Sequence, residues 1–216
     1  MSDPYRTPSE PGAEELSPPS DPAELGALRS THGRTGALGT AAVAVGRSAR
    51  VDLHEGGLVL EGAMVGRTEV LFGNVDAVHY DFDGLIAGPP RVDLVLFDGR
   101  RVSIPSDLDG LEWVTEAIER SVSTPLTRSA RAALNHGERL VFGPLVLELD
   151  GIVLQGKHLA WGNLAHVEAD RDSLVFFAEA PIGRFDWVRL VDIPHPKVLL
   201  HLLGLRTTVV MNGLRL

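Results

Sequence analysis

The 216-residue chain contains no cysteine. That absence excludes a disulfide framework, a thiolate metal site and a cysteine nucleophile, and it suits a reducing compartment, so a cytoplasmic location is expected. Lysine is nearly as scarce, with Lys157 and Lys197 the only two. Acidic residues outnumber basic ones by 29 to 20, and a net charge of −9 repels nucleic acid and anionic surfaces unless the few cations cluster. No stretch reaches the roughly 18 apolar residues that a membrane-crossing helix needs. The first 25 residues lack a basic start followed by an apolar run, so no secretory leader is expected there. No Gly-x-Ser-x-Gly elbow occurs and no helix carries a zinc-type histidine pair. The expectation is a protein without catalytic residues, cofactor or metal, and not an enzyme.

What is present is organised in blocks. Residues 1–36 hold six of the fourteen prolines and only Leu16, Leu25 and Leu28 as large aliphatics. That is too little apolar area to offset the entropy of ordering, so a disordered, acidic, proline-rich arm is expected. A short helix is predicted within "DPAELGALR", where Asp21 can cap and Pro22 suits the first turn. Beyond the arm, short Val- and Leu-rich runs alternate with Gly, Asn and Asp-Gly, the pattern of a strand meander. "FDGRR" predicts a tight type I′ hairpin at Asp98-Gly99. Leu108, Leu111, Val114, Thr115, Ile118 and Val122 then recur at helical spacing and form one stripe.

From Gly137 the same grammar returns. "FGNVDAV" (Phe72–Val78) and "WGNLAHV" (Trp161–Val167) lie 89 residues apart, and the same offset places Ile104-Pro105 on Ile193-Pro194 ahead of each terminal helix. "EGGLVL" (Glu55–Leu60) matches "LDGIVL" (Leu149–Leu154) at a slightly longer offset, which puts about five extra residues into the first copy. At Gly73-Asn74 and Gly162-Asn163 a tight reversal is expected, with Phe72, Val75, Trp161 and Leu164 pointing into the core. Between the copies, "TPLTRSARAALNHGE" predicts a connecting helix capped by Thr127 and stopped at His136-Gly137.

Seven or so strands closed by a C-terminal helix, written twice, resemble the pleckstrin-homology-like fold. The wording of "EGGLVLEG", "LDGIVLQGKHLAWGNLAHV", "GERLVFG" and "DIPHPKVLLHLL" is similar to a bacterial family of uncharacterised proteins with two tandem PH-like (GRAM-like) domains. The resemblance implies a mainly β fold with capping helices: two tandem barrels, each with about seven strands and a C-terminal helix. The expected layout is an arm at 1–36, a first domain at 37–125, a connecting helix plus second domain at 126–205, and a tail or extra strand at 206–216. It implies no activity, only a scaffold used for binding peptides, proteins or lipid headgroups.

"GIVLQGKH" (Gly151–His158) has phosphate-loop spacing, but its interior reads as a strand and no Ser or Thr follows the lysine. His166, Glu168 and Asp170 share one face of a predicted strand, where a polar solvated face is the simpler account than a metal site. "YDFDG" lacks the further oxygens of a calcium loop. Arg47 and Arg50 sit between the first two predicted strands, where lipid-binding members of the class place basic residues, but Asp52 and Glu55 follow closely. Trp113 lies off the helical stripe, and "KVLLHLLGL" is apolar nearly all round, so Trp113, Leu199, Leu200 and Leu203 are candidates for an interface with the other unit or a second chain. The leading expectation is a binding or scaffold module for an unknown protein or peptide. Lipid contact through Arg47 and Arg50 is the runner-up and metal or enzymatic chemistry at His166 and Glu168 a distant third, with self-association a further partner option.

Overall fold

The computed structural model describes residues 22–33, 49–62, 66–81 and 91–212. Arg47 and most of the N-terminal arm lie outside them. The chain is mainly β with helices. Strands β1 (Leu28–Gly33), β2 (Ala49–His54), β3 (Gly57–Gly62) and β4 (Gly66–Leu71) form an antiparallel sheet in that order. A 3-10 turn at Phe72–Asn74 leads into a second sheet of β5 (Val75–Asp81), β6 (Arg91–Leu96) and β7 (Arg101–Ile104). Their inward residues form one buried cluster, which helix α1 (Leu111–Ile118) closes with Leu111, Val114 and Ile118.

The second half repeats this plan. Strands β8 (Leu140–Phe142), β9 (Leu145–Leu147), β10 (Gly151–Leu154) and β11 (Lys157–Ala160) form one sheet, and a 3-10 turn at Trp161–Asn163 leads into the next. That sheet has the order β14 (Gly183–Arg189), β13 (Ser173–Ala178), β12 (Leu164–Ala169), β15 (Thr208–Met211). Helix α3 (Pro196–Gly204) plugs its own separate core with Val198, Leu199, Leu202 and Leu203.

The repeated heptad marks the same corner in both halves. Phe72 N–H donates to the Gly56 carbonyl at 2.9 Å, and Trp161 N–H to the Asp150 carbonyl at 3.0 Å. Phe72, Val75 and Leu164 are buried, and Trp161 packs half-buried against the second core. The pairs Gly57↔Leu71 and Gly151↔Ala160 occupy matching ladder positions, so the extra residues of the first copy lengthen the β3–β4 hairpin.

Several expectations need correction. The described ladders form four open sheets and no closed barrel, because each 3-10 corner redirects the chain without pairing the strands on its two sides. β1 lies inside the segment expected to be disordered. It is held by its ladder to β2 and by Thr31 Oγ1 donating to Asp52 at 2.7 Å, not by burial of its own side chains. Pro22–Leu25 is a single 3-10 turn that buries Leu25. The Asp98-Gly99 turn is not type I′: only Gly99 has positive φ, and Gly99 N–H donates to Leu96, giving a type I turn closed by a left-handed glycine. Thr127 is not a cap. α1 runs through a π turn at Glu119–Ser123 directly into α2 (Thr124–Asn135), and the Thr127 hydroxyl bonds back to Ser123 O at 2.7 Å. Pro125 has no N–H to donate, and the wider turn just before it accommodates that gap within a continuous helix. Gly137, at φ 83°, follows the helix end at His136 as expected. Thr208–Met211 adds a strand, parallel to β12.

Glycine is needed at the strand positions rather than at the corners. A Cβ at Gly57 would overlap the Val70 carbonyl oxygen, and one at Gly151 the Leu159 carbonyl oxygen, whereas Gly73 and Gly162 have open space around them. Gly151→Ala should therefore destabilise the protein by about 1–3 kcal/mol. Gly162→Ala should stay within about 0.5 kcal/mol. Urea denaturation of the two variants checks the contrast.

Candidate functional site

β1 is the outermost strand of its sheet and, among the described residues, pairs with β2 alone. Helix α1 is brought alongside it by two local features. Asp109 N–H donates to the carbonyl of Gly33, at the end of β1, at 2.8 Å. Gly110, with φ 69°, precedes the helix, and a Cβ there would overlap the His32 ring. The start of α1 thus reaches the strand as closely as a residue without a side chain allows.

Between them lies an open cleft of about 540 Å³. Arg29, Ser30 and His32 form one wall, Trp113, Glu116 and Arg120 the other, and Leu53, Phe72 and Ala117 contribute apolar surface. Trp113 is 60% exposed, as its place off the helical stripe predicts. The Ser30 hydroxyl and His32 Nε2 are 2.7 Å apart, which fixes the imidazole against the wall. Charges are balanced: Arg29 pairs with Glu55, and Arg120 with Glu116 at 2.8 Å. Exposed pairs of this kind contribute little to stability and reorganise readily around a ligand. The cleft offers an edge strand that pairs with β2 alone among the described residues, an aromatic face and balanced charge.

The other sequence candidates separate. Arg50 is the second residue of β2 and pairs with Asp52 at 2.8 Å. Burial alone would raise the Asp52 pKa, but hydrogen bonds from Thr31 and Arg50 hold it below the usual carboxylate range. Leu199 and Leu203 are fully buried in the second core, and Leu200 lies partly buried against it. Trp113 faces the β1 cleft within the first half and not the seam between halves. His166 stacks on Phe177 at 4.5 Å and stands 3.4 Å from Glu168, on a half-buried sheet face. Gly151–His158 is a β10–β11 hairpin, with Gln155 and Gly156 both at positive φ in its turn.

Three features were not legible beforehand. The β1 edge comes from a strand too polar to register as one. Glu148, Asp150 and His158 bring ligand-type atoms within 4.8 Å of one another, but Glu148 is already paired with Arg139 at 2.7 Å, and Asp150 and His158 are exposed. His195 sits buried at the seam between the halves, and its only sequence signal is the unusual Pro194-His195-Pro196.

A comparison with curated proteins finds no match. Among solved structures, one described as the structure of the Spt16D Pob3N heterodimer is similar at 10% identity over 66% of this chain and 86% of that chain, with a TM-score of 0.22. A likeness that slight says nothing about what this chain does. The model of the family of unknown function DUF6585 matches residues 41–208, most of the chain, and the protein belongs to that family.

Proposed function

We propose that this chain is a non-catalytic, cytoplasmic binding module built of two tandem units, and that it takes up an extended segment of a protein partner along the edge of β1. The observation that carries the reading is an edge strand with no partner but β2 among the described residues, set beside an exposed tryptophan on a helix pinned to that strand's end. A strand added to such an edge gains main-chain hydrogen bonds that are indifferent to sequence. Side-chain selectivity then comes from Trp113 and the apolar surface of Leu53, Phe72 and Ala117. The balanced charge of the walls favours a peptide of low net charge over a polyanion.

Peptides selected from a random 12-residue display library against the full chain should shift the amide resonances of β1 and α1. N-methylation at alternate peptide positions should abolish binding, because each methyl removes a donor to the edge. Binding that is indifferent to N-methylation at every position would reject the strand-edge mode.

Trp113→Ala should weaken the same peptides by about 2 kcal/mol, some 30-fold, as expected of an aromatic anchor. Its effect on folding should be within about 0.5 kcal/mol, since the indole makes no part of the buried cluster. Calorimetric titration and thermal melting read the two effects separately.

A further inference from the structure

The two halves meet along the edge of β5, the outermost strand of the first half's second sheet. That edge is met by the segment running from Leu190 to His195 in the second half. His195 N–H donates to the Val78 carbonyl at 2.8 Å, and His79 Nδ1 donates to the Val191 carbonyl at 3.1 Å. His195 Nε2 lies 2.7 Å from the Asp76 carbonyl oxygen, which can only accept. Nε2 must therefore carry the ring proton, leaving Nδ1 as the lone-pair nitrogen of a neutral imidazole. Nδ1 is buried without a hydrogen-bond partner, in a residue only 7% exposed.

This contact is also held against a local cost. His195 has φ 51° and ψ 54°, a left-handed conformation, and it stands directly before Pro196, which disfavours helical geometry at the preceding residue. Docking on β5 keeps it there.

The groups around the ring are fixed. On β5 they are Asp76 and His79. On β6, Asp93 lies across from His79 and is paired with Arg91 at 3.2 Å, while Arg91 also holds Asp81 at 2.7 Å. On the docking segment Asp192 is paired with Arg189 at 2.9 Å, and beyond it Lys197 of α3 is paired with Glu119 at 2.6 Å. Burial depresses the His195 pKa below its usual 6.5, and His79 adds to that, while the bond to the Asp76 carbonyl and the Asp76 carboxylate oppose it.

We propose that the segment from Leu190 to His195 is a pH-released clasp: a proton on Nδ1 of His195 detaches it from β5 and frees a second sheet edge, while the continuous helix from Leu111 to Asn135 still joins the halves. The direction follows from linkage. The released histidine binds protons more readily than the docked one, so the clasp is fully closed above about pH 6.5 and weakens as pH falls through and below that value.

Amide hydrogen exchange on the full chain reads the clasp directly, because the His195 N–H is one of its bonds. After correction for intrinsic rates, protection at His195 should fall at least about 10-fold between pH 7.5 and pH 5.0, while that of Ile152 in β10 holds. Unchanged protection at His195, or an equal loss at Ile152, would overturn the proposal. His195→Asn keeps the backbone donor, suits the left-handed conformation and cannot take a proton, so its protection should vary less than about 2-fold over the same range. Retention of the wild-type pH dependence in that variant would also overturn it. Should His195→Asn not fold, imidazole nitrogen shifts of the wild type decide: the Nε2–H tautomer at pH 7.5 and titration in step with the loss of protection are expected, and titration with protection intact refutes the clasp.

Discussion

A sheet edge leaves a row of backbone donors and acceptors that must be paired, covered or left to water, and the architecture of this chain follows from how three such edges are treated. In the second half, β12 would be an edge, but Thr208–Met211 returns to pair with it in parallel. In the first half the corresponding strand, β5, has no such returning strand among the described residues, where the chain continues from α1 into α2. Its edge is covered from outside, by the turn between β14 and α3 of the other half. β1 pairs with no described strand other than β2, and only its end at Gly33 is met, by Asp109. The same demand thus produces an internal strand, a joint between halves and an open surface.

The corners between sheets are the second constraint. At Phe72–Asn74 and Trp161–Asn163 one aromatic residue turns inward while its N–H reaches back across the sheet to Gly56 and Asp150. The strands bordering each corner approach so closely that only glycine fits at positions 57 and 151. These contacts set how each pair of sheets encloses its core, and the helix arriving after the last strand closes the remaining opening. Trp161 differs from Phe72 in using its indole N–H, which donates to the carbonyls of Glu148 and Leu149 at 3.1 Å. The larger ring therefore sits partly outward, where Phe72 is buried but for its share of the β1 cleft.

Much of this was readable from apolar periodicity and repetition. The strands with inward Val and Leu, the stripe of α1, the exposed place of Trp113 and the duplicated corner all follow from side chains whose burial drives the local structure. Where the structure departs from the reading, something other than burial decides. β1, with the sequence Leu-Arg-Ser-Thr-His-Gly, is a strand because β2 offers it a ladder, which no count of its own apolar residues reveals. The helix from Leu111 to Asn135 continues through Pro125 because a π turn absorbs the missing donor, where composition alone suggests a break. Leu199 and Leu203 looked surplus to one core, but the second core is deep enough to enclose them. The cleft and the seam join residues far apart in sequence, and single-sequence periodicity carries no information about such pairings.

The two halves are consequently unequal in what they can offer a partner. The second half covers β12 with β15 and spends its most apolar helix inside its core, so those surfaces are committed. The first half leaves an edge strand and a tryptophan outside its core, and it relies on the second half to cover β5. Across that seam two histidines bond to backbone carbonyls, and Lys197 meets Glu119 and the Tyr80 ring. Each half has its own hydrophobic cluster, so the seam joins two separately enclosed cores. Such a joint can respond to protonation without unfolding either side, whereas a shared apolar core would couple any opening to global stability.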